Sequence, residues 1–360
     1  MRTLLIHLST AALAASLVFT GCKREESQPT AATTQPAGAA ASAAPVTLMV
    51  ASYDPTREMY EKFGPLFATH YKEKAGRDVT VNMSHGPSGK QARDIAAGKE
   101  ADVAALSVDY DIDVISQAKL IPADWRARLP NDAVPYYSAV VFLVRSGNPK
   151  NIKDWADLAR PDVTALAPDP KTGGGARWIY LSTWAHALRK AKAEGKTDEQ
   201  ATEAARAYTA KVYDDAITDP AMRGSTTRFI QQQTGDVLFG WENEILQVVN
   251  DPAAKGKFEI VVPSDSITIE VPISIVDEVA RKRDTTDAAN AFVQYLFAEP
   301  GQDLVARFYN RPYSTAVAEK YKAQFPPLNL YRFKEHFKDW PTVMKQHFET
   351  GGELDRMRGK

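Results

Sequence analysis

A single cysteine, Cys22, in 360 residues excludes an internal disulfide and any cysteine-based metal cluster. An excess of charge is missing as well: 44 Lys and Arg stand against 45 Asp and Glu, a formal net charge of −1. That balance leaves no basic footprint for nucleic acid, so an anion held by this chain must be held by local donors and not by a global field. Long apolar runs are scarce. The stretch 4–19 is broken by His7, Ser9, Thr10 and Ser16, too short and too interrupted to be a convincing transmembrane span. No cluster of Cys and His is visible, and neither a metal nor a cofactor is expected.

With Arg2 before it, the 4–19 stretch reads as an export signal. It ends in Phe19-Thr20-Gly21-Cys22, which resembles the lipobox of bacterial lipoproteins, with Phe19 where Leu is usual. The expectation is a signal over 1–22 and a lipid on Cys22, holding the protein to a membrane on its periplasmic or extracytoplasmic face. Residues 23–45, rich in Ala, Ser, Thr and Pro, read as a flexible tether. Such a coil reaches roughly 25 to 30 Å.

The rest of the chain has ordinary soluble composition, and its length predicts two domains. Short β-rich runs at 46–50, 79–83, 103–106 and 139–144, the first three separated by helical patterns, indicate an α/β sheet. Further strands are read at 237–241, 258–262 and 271–276, and helices at 175–193 and 242–250. No second linker appears, so the domains are expected to interleave: 46–136 plus 269–325 as one lobe and 137–268 as the other. The crossings are expected near 135–139 and 266–271. The tail 326–360, with Phe333, Phe337, Trp340, Met344 and Phe348, reads as an amphipathic helix packed back on the body of a monomer.

Five loops join a predicted strand to a helix. In the first, Asp54 precedes Pro55, a favoured first helical residue. The second, Ser84-His85-Gly86-Pro87-Ser88-Gly89-Lys90-Gln91, lets backbone N–H groups converge at a helix start, but it lacks the leading Gly and the hydroxyl after Lys90 of a P-loop. The third carries Gly173-Gly174-Gly175 into a helix. Three glycines in one helical turn cost about 1 kcal/mol each against Ala, and close approach of backbone to a ligand is a good reason for them. The fourth is Met222-Arg223-Gly224-Ser225, and the fifth places Trp241, with its indole donor, at the end of a strand.

These loops share one physical solution, in which uncharged N–H dipoles at several helix starts solvate a buried anion. Arg57, Arg177 and Arg223 lie beside three of them, able to pin a loop or add positive potential. A hydrolase reading would pair His85 with Ser88 and draw on Asp109, Asp111 or Asp169. Nothing in the spacing sets a base-to-nucleophile geometry, so no enzyme is expected.

The stretches Ser52-Tyr53-Asp54-Pro55-Thr56-Arg57-Glu58, Ser88-Gly89-Lys90-Gln91, Val141-Phe142-Leu143-Val144-Arg145, Gly174-Gly175-Ala176-Arg177-Trp178, Arg223-Gly224-Ser225-Thr226 and Trp241-Glu242-Asn243-Glu244 together resemble the periplasmic sulfate-binding proteins of bacterial sulfate/thiosulfate ABC importers. The resemblance implies a two-lobed α/β fold of the type II periplasmic-binding-protein kind, which closes on dehydrated sulfate or thiosulfate and delivers it to membrane permease subunits. It implies as donors the backbone N–H groups of Asp54, Ser88, Gly174, Gly175 and Met222, with the indole N–H of Trp241. Gly173 departs from the pattern, because relatives carry there a Ser whose hydroxyl donates to sulfate. Asp169, where relatives often have Asn, adds a nearby carboxylate. A receptor for a molybdate- or phosphate-like oxyanion and a sensory binding protein are the alternatives.

Overall fold

The computed structural model describes residues 44–214 and 216–359. The signal, Cys22 and nearly all of the tether therefore lie outside the described residues. Strand β1 (Val46–Ser52) pairs in parallel with β2 (Val79–His85) and β3 (Val103–Ala105). The helix Arg57–Ala75 connects β1 to β2 and buries Met59, Tyr60, Phe63, Phe67 and Tyr71, a stripe at spacings of three and four residues. It stops at Gly76, which takes φ 64°, the left-handed turn a helix end favours. The same sheet is completed by an antiparallel strand from far along the chain, introduced below.

From β4 (Tyr136–Ser138) the chain passes through Ala139 into β5 (Val140–Arg145), an inner strand of a second sheet. Around it lie β6 (Ala165–Pro168), β7 (Ile217–Asp219), β8 (Val237–Trp241) and β9 (Phe258–Val261), in the order β7-β6-β8-β5-β9. The β5 sequence VVFLVR shows no alternation because both faces are covered, and its first five residues are buried. At the crossing the buried Ser266 hydroxyl accepts from the Val140 N–H at 2.8 Å and donates to the Val140 carbonyl at 2.9 Å.

The return path runs through β10 (Ser266–Ile267), β11 (Ile269–Val271) and β12 (Ile273–Ile275). The expected single strand over 271–276 is thus corrected. Pro272 has no N–H to give a ladder, and it divides β11, which pairs with β4, from β12, which closes the first sheet against β3. The small sheets are finished by β13 (Arg311–Pro312) on β4 and β14 (Leu330–Tyr331) on β10.

The tail is not the single amphipathic helix its apolar spacing suggests. It breaks into β14, a 3-10 turn, the short helix Trp340–Val343, a π turn and the helix Glu353–Met357. The Pro326-Pro327 pair before it and the Gly351-Gly352 pair within it interrupt any continuous helix. Its aromatic residues still reach the core: Trp340 meets Trp178 edge-on with ring centres 5.0 Å apart, and Phe348 meets Tyr180 at 5.1 Å. Among the described residues no helix is long and apolar enough to cross a membrane.

Candidate functional site

Strands β1, β2, β6 and β8 each end where a helical segment begins, and these ends face one another across the line between the two sheets. Helix starts carry N–H groups that no intrahelical carbonyl can satisfy, so their convergence makes a region of positive potential without formal charge. Two of these starts meet at Ser88, first residue of the helix Ser88–Ala96, and Gly174, first residue of the helix Gly174–Ala193. A Cβ placed on Gly174 would collide with Ser107 Oγ and lie 3.2 Å from Asp111 Oδ2 and 3.3 Å from Ser88 Cβ. One on Gly175 would lie 3.2 Å from the Trp241 ring and 3.7 Å from Met222 Cγ. Both positions accept only glycine without adjustment.

Asp54 opens the 3-10 turn after β1, against which the helix Met222–Gln231 packs. Beside it the buried Tyr53 ring lies 5.5 Å from the Trp241 ring. Asp54, Ser88, Gly174, Gly175, Met222 and Trp241 are thus brought to one region. The Trp241 indole N–H is engaged within the protein, donating to the Gly175 carbonyl at 3.1 Å.

Gly173 is the N-cap of the glycine helix, with φ −113° and ψ 123°, a conformation open to any residue. Its N–H donates to the Asp169 carbonyl at 3.1 Å. An added Cβ would find only ordinary contacts, the nearest being Ala176 Cβ at 3.5 Å.

The three arginines are occupied differently. Arg57 donates to Asp54 Oδ1 at 2.9 Å, pinning the first loop. Arg223 donates to Glu58 Oε1 at 2.9 Å, a bridge from the second sheet's side to the first. Arg177 is buried, 4.0 Å from Asp111 Oδ1. Burial pushes the Asp111 carboxyl up and the Arg177 guanidinium down, and each opposes the shift of the other.

Sequence reasoning missed two neighbours of the site. Ser107 follows β3 in another strand-to-helix loop, and Asp111 lies in the first turn of the helix Asp109–Gln117. In the sequence Asp111 stands out only as a possible triad member. The signal was present, since this loop has the same strand, small polar residue and helix order as the others. Asp111 accepts from the Ser88 hydroxyl, which also accepts from the Ser107 N–H at 2.9 Å. Asp169, in contrast, accepts from the Lys171 N–H at 3.0 Å and from Arg358 at 3.3 Å, so its carboxylate is held by the tail. Within the WENE stretch, burial pushes the Glu244 carboxyl up to about 7; nearby Glu58 and Asp54 add to the shift and Arg223 opposes it.

The residues considered for a hydrolase do not form a triad. The Ser88 hydroxyl is turned to Asp111 and Ser107, His85 Nδ1 pairs with Ser52 Oγ at 2.6 Å, and Asp109 pairs with Arg126 at 3.0 Å. Among the described residues no group of three or more His, Cys, Asp or Glu is arranged to hold a metal ion.

The profile described as bacterial extracellular solute-binding protein matches residues 48–309. The sulfate-binding protein of Escherichia coli K12 is 43% identical over 313 residues, covering 87% of this chain and 93% of that protein. A thiosulfate-binding protein of Pseudomonas aeruginosa is 38% identical over 322 residues, covering 89% and 94%. Among solved structures, the sulfate-binding protein SubI of Mycobacterium tuberculosis superposes with a TM-score of 0.73 at 29% identity, covering 84% of this chain and all of that one. The open ferric iron-binding protein A of Mannheimia haemolytica, 15% identical with a TM-score of 0.56, shares the two-lobed fold alone, covering 87% of this chain and 98% of its own.

Proposed function

The chain belongs to the bacterial extracellular solute-binding proteins, and we propose that it captures sulfate, or the related thiosulfate, outside the cytoplasm and delivers it to the permease subunits of an ABC importer. The observation that carries this reading is the meeting of the Ser88 and Gly174 helix starts, packed so closely with Ser107 that a Cβ on Gly174 would collide with Ser107 Oγ. Fully ionised sulfate needs donors only, and helix N-termini supply them without a countercharge. The lobes proposed are 46–136 with 269–325, and 137–268, the ligand lying between them and the protein acting as a monomer. The names of the relatives support the choice of anion.

Calorimetric titration with sulfate, thiosulfate, molybdate and phosphate at fixed pH and salt tests the proposal. Sulfate or thiosulfate should bind best; a preference for phosphate or molybdate overturns it. Gly173→Ser should tighten sulfate binding by about fivefold, ~1 kcal/mol for one added hydrogen bond, since the backbone is extended there and the site has room for a side chain. Weaker sulfate binding in that variant would show that residue 173 does not face the anion. Asp169 should not disturb the outcome, because Arg358 and the Lys171 N–H hold it.

We further propose that Cys22 carries the lipid anchor, on the strength of the small residues before it and its being the only cysteine. Cys22→Ser should abolish incorporation of labelled fatty acid and leave sulfate affinity unchanged. Equal labelling of variant and parent would remove the anchor.

A further inference from the structure

We propose that the Ser107 hydroxyl is a side-chain donor to the bound oxyanion, in the role for which Gly173 has no side chain; this rests on the sulfate reading above. Ser107 is fully buried, and no group among the described residues pairs with its Oγ. A buried hydroxyl without a partner is costly, so its presence calls for a compensating interaction. Its backbone, by contrast, is fully engaged. The N–H donates to Ser88 Oγ at 2.9 Å, and the carbonyl accepts from Trp178 Nε1 at 2.7 Å.

Those two bonds tie Ser107 to both converging helices, since Ser88 opens one and Trp178 lies one turn into the other. The hydroxyl is so close to Gly174 that it would collide with a Cβ there, and Ser88 Cβ would lie 3.3 Å from that added atom. An anion seated on the Ser88 and Gly174 N–H groups therefore meets Ser107 Oγ between them. The Ser88 hydroxyl is not free for this task, because it is committed to Asp111 and to the Ser107 N–H. With its backbone held on both sides, Ser107 keeps only rotation about its Cα–Cβ and Cβ–Oγ bonds. That is the freedom a donor needs to turn its proton to a ligand.

The test compares Ser107→Ala with the parent by calorimetric titration with sulfate and by ligand-free melting, and introduces Gly173→Ser into both. Ser107→Ala should bind sulfate about tenfold more weakly, the effect of losing a hydrogen bond to a charged group. Its ligand-free melting temperature should stay level or rise, because the hydroxyl has no protein partner to lose. Gly173→Ser should improve affinity by a larger factor in the Ser107→Ala background than in the parent, as expected of two donors that serve one demand. Unchanged affinity in Ser107→Ala, a matching fall in its ligand-free melting temperature, or equal gains from Gly173→Ser in both backgrounds would each overturn the assignment. A parent that fails to bind sulfate would bring down the functional reading and this assignment together, whereas a parent that binds normally isolates Ser107.

Discussion

Arg311→Met should destabilise the protein by ~3–5 kcal/mol, the cost of leaving a buried charge without its partner. Glu242 has no exposed side-chain surface, and its two oxygens accept from Arg311 Nε at 2.6 Å and Nη2 at 2.7 Å. Arg311 also donates to the Pro326 carbonyl at 2.6 Å, so its loss unpairs a third acceptor. Burial raises the Glu242 carboxyl even with the arginine in place, and removing Arg311 takes away the group that opposes the rise. The sign of the pH dependence follows. A carboxyl raised in the folded state is protonated in both folded and unfolded chains below its ordinary range, so its penalty vanishes there. The penalty grows as pH climbs from that range to the raised value, and is constant above it. The deficit of Arg311→Met against the parent should therefore be largest at neutral pH and shrink on acidification, and Glu242→Gln in the same background should recover part of it. Denaturant melts at pH 7 and pH 4.5 measure this; a pH-independent deficit would mean that lost packing, not the stranded carboxylate, is responsible.

Gly174→Ala should weaken sulfate binding by roughly 100-fold, ~3 kcal/mol at the upper end of overpacking costs. The added methyl would collide with Ser107 Oγ and crowd Asp111 Oδ2 and Ser88 Cβ, all of which belong to the opposite side of the cleft. The clash therefore acts on closure and not on the fold of either lobe. Ligand-free melting should be nearly unchanged. Saturating sulfate should raise the melting temperature of the parent by mass action and that of the variant far less at the same concentration. Parent-like affinity in Gly174→Ala would show that the lobes do not close against this glycine. Its neighbour Gly173 should respond with the opposite sign. At one position a Cβ has no room, and at the next it has ordinary contacts.

Much of the site was legible because its signals are local. A strand that ends in Ser, Gly or Trp just before a helix announces a helix start whatever the rest of the chain does, and five such loops stood out. Strand β8 and the helix Glu242–Asn250 agree with their sequence reading to the residue, since an apolar run followed by a change of period marks its own boundary. The strand before Ser107 is legible, but the loop that follows carries no glycine, proline or tryptophan to single it out, and Ser107 alone is an ordinary polar residue. Strands β6 and β7 escaped as well, because runs of four and three residues are too short to show a period, although Asp169-Pro170 and Pro220 mark their ends.

The sequence by itself determined the α/β class, the strand-to-helix loops, the glycines at the start of the helix Gly174–Ala193 and the absence of a net field, because each depends on residue type and near-neighbour spacing. Tertiary structure alone decided which groups remain free to act. The Ser88 hydroxyl, which sequence leaves available, is taken by Asp111; Asp169 is taken by a tail arginine nearly two hundred positions away; and Ser107 is left as the unpaired hydroxyl beside Gly174. Hydrogen-bond partners at long sequence separation are chosen by packing, and no local pattern records that choice.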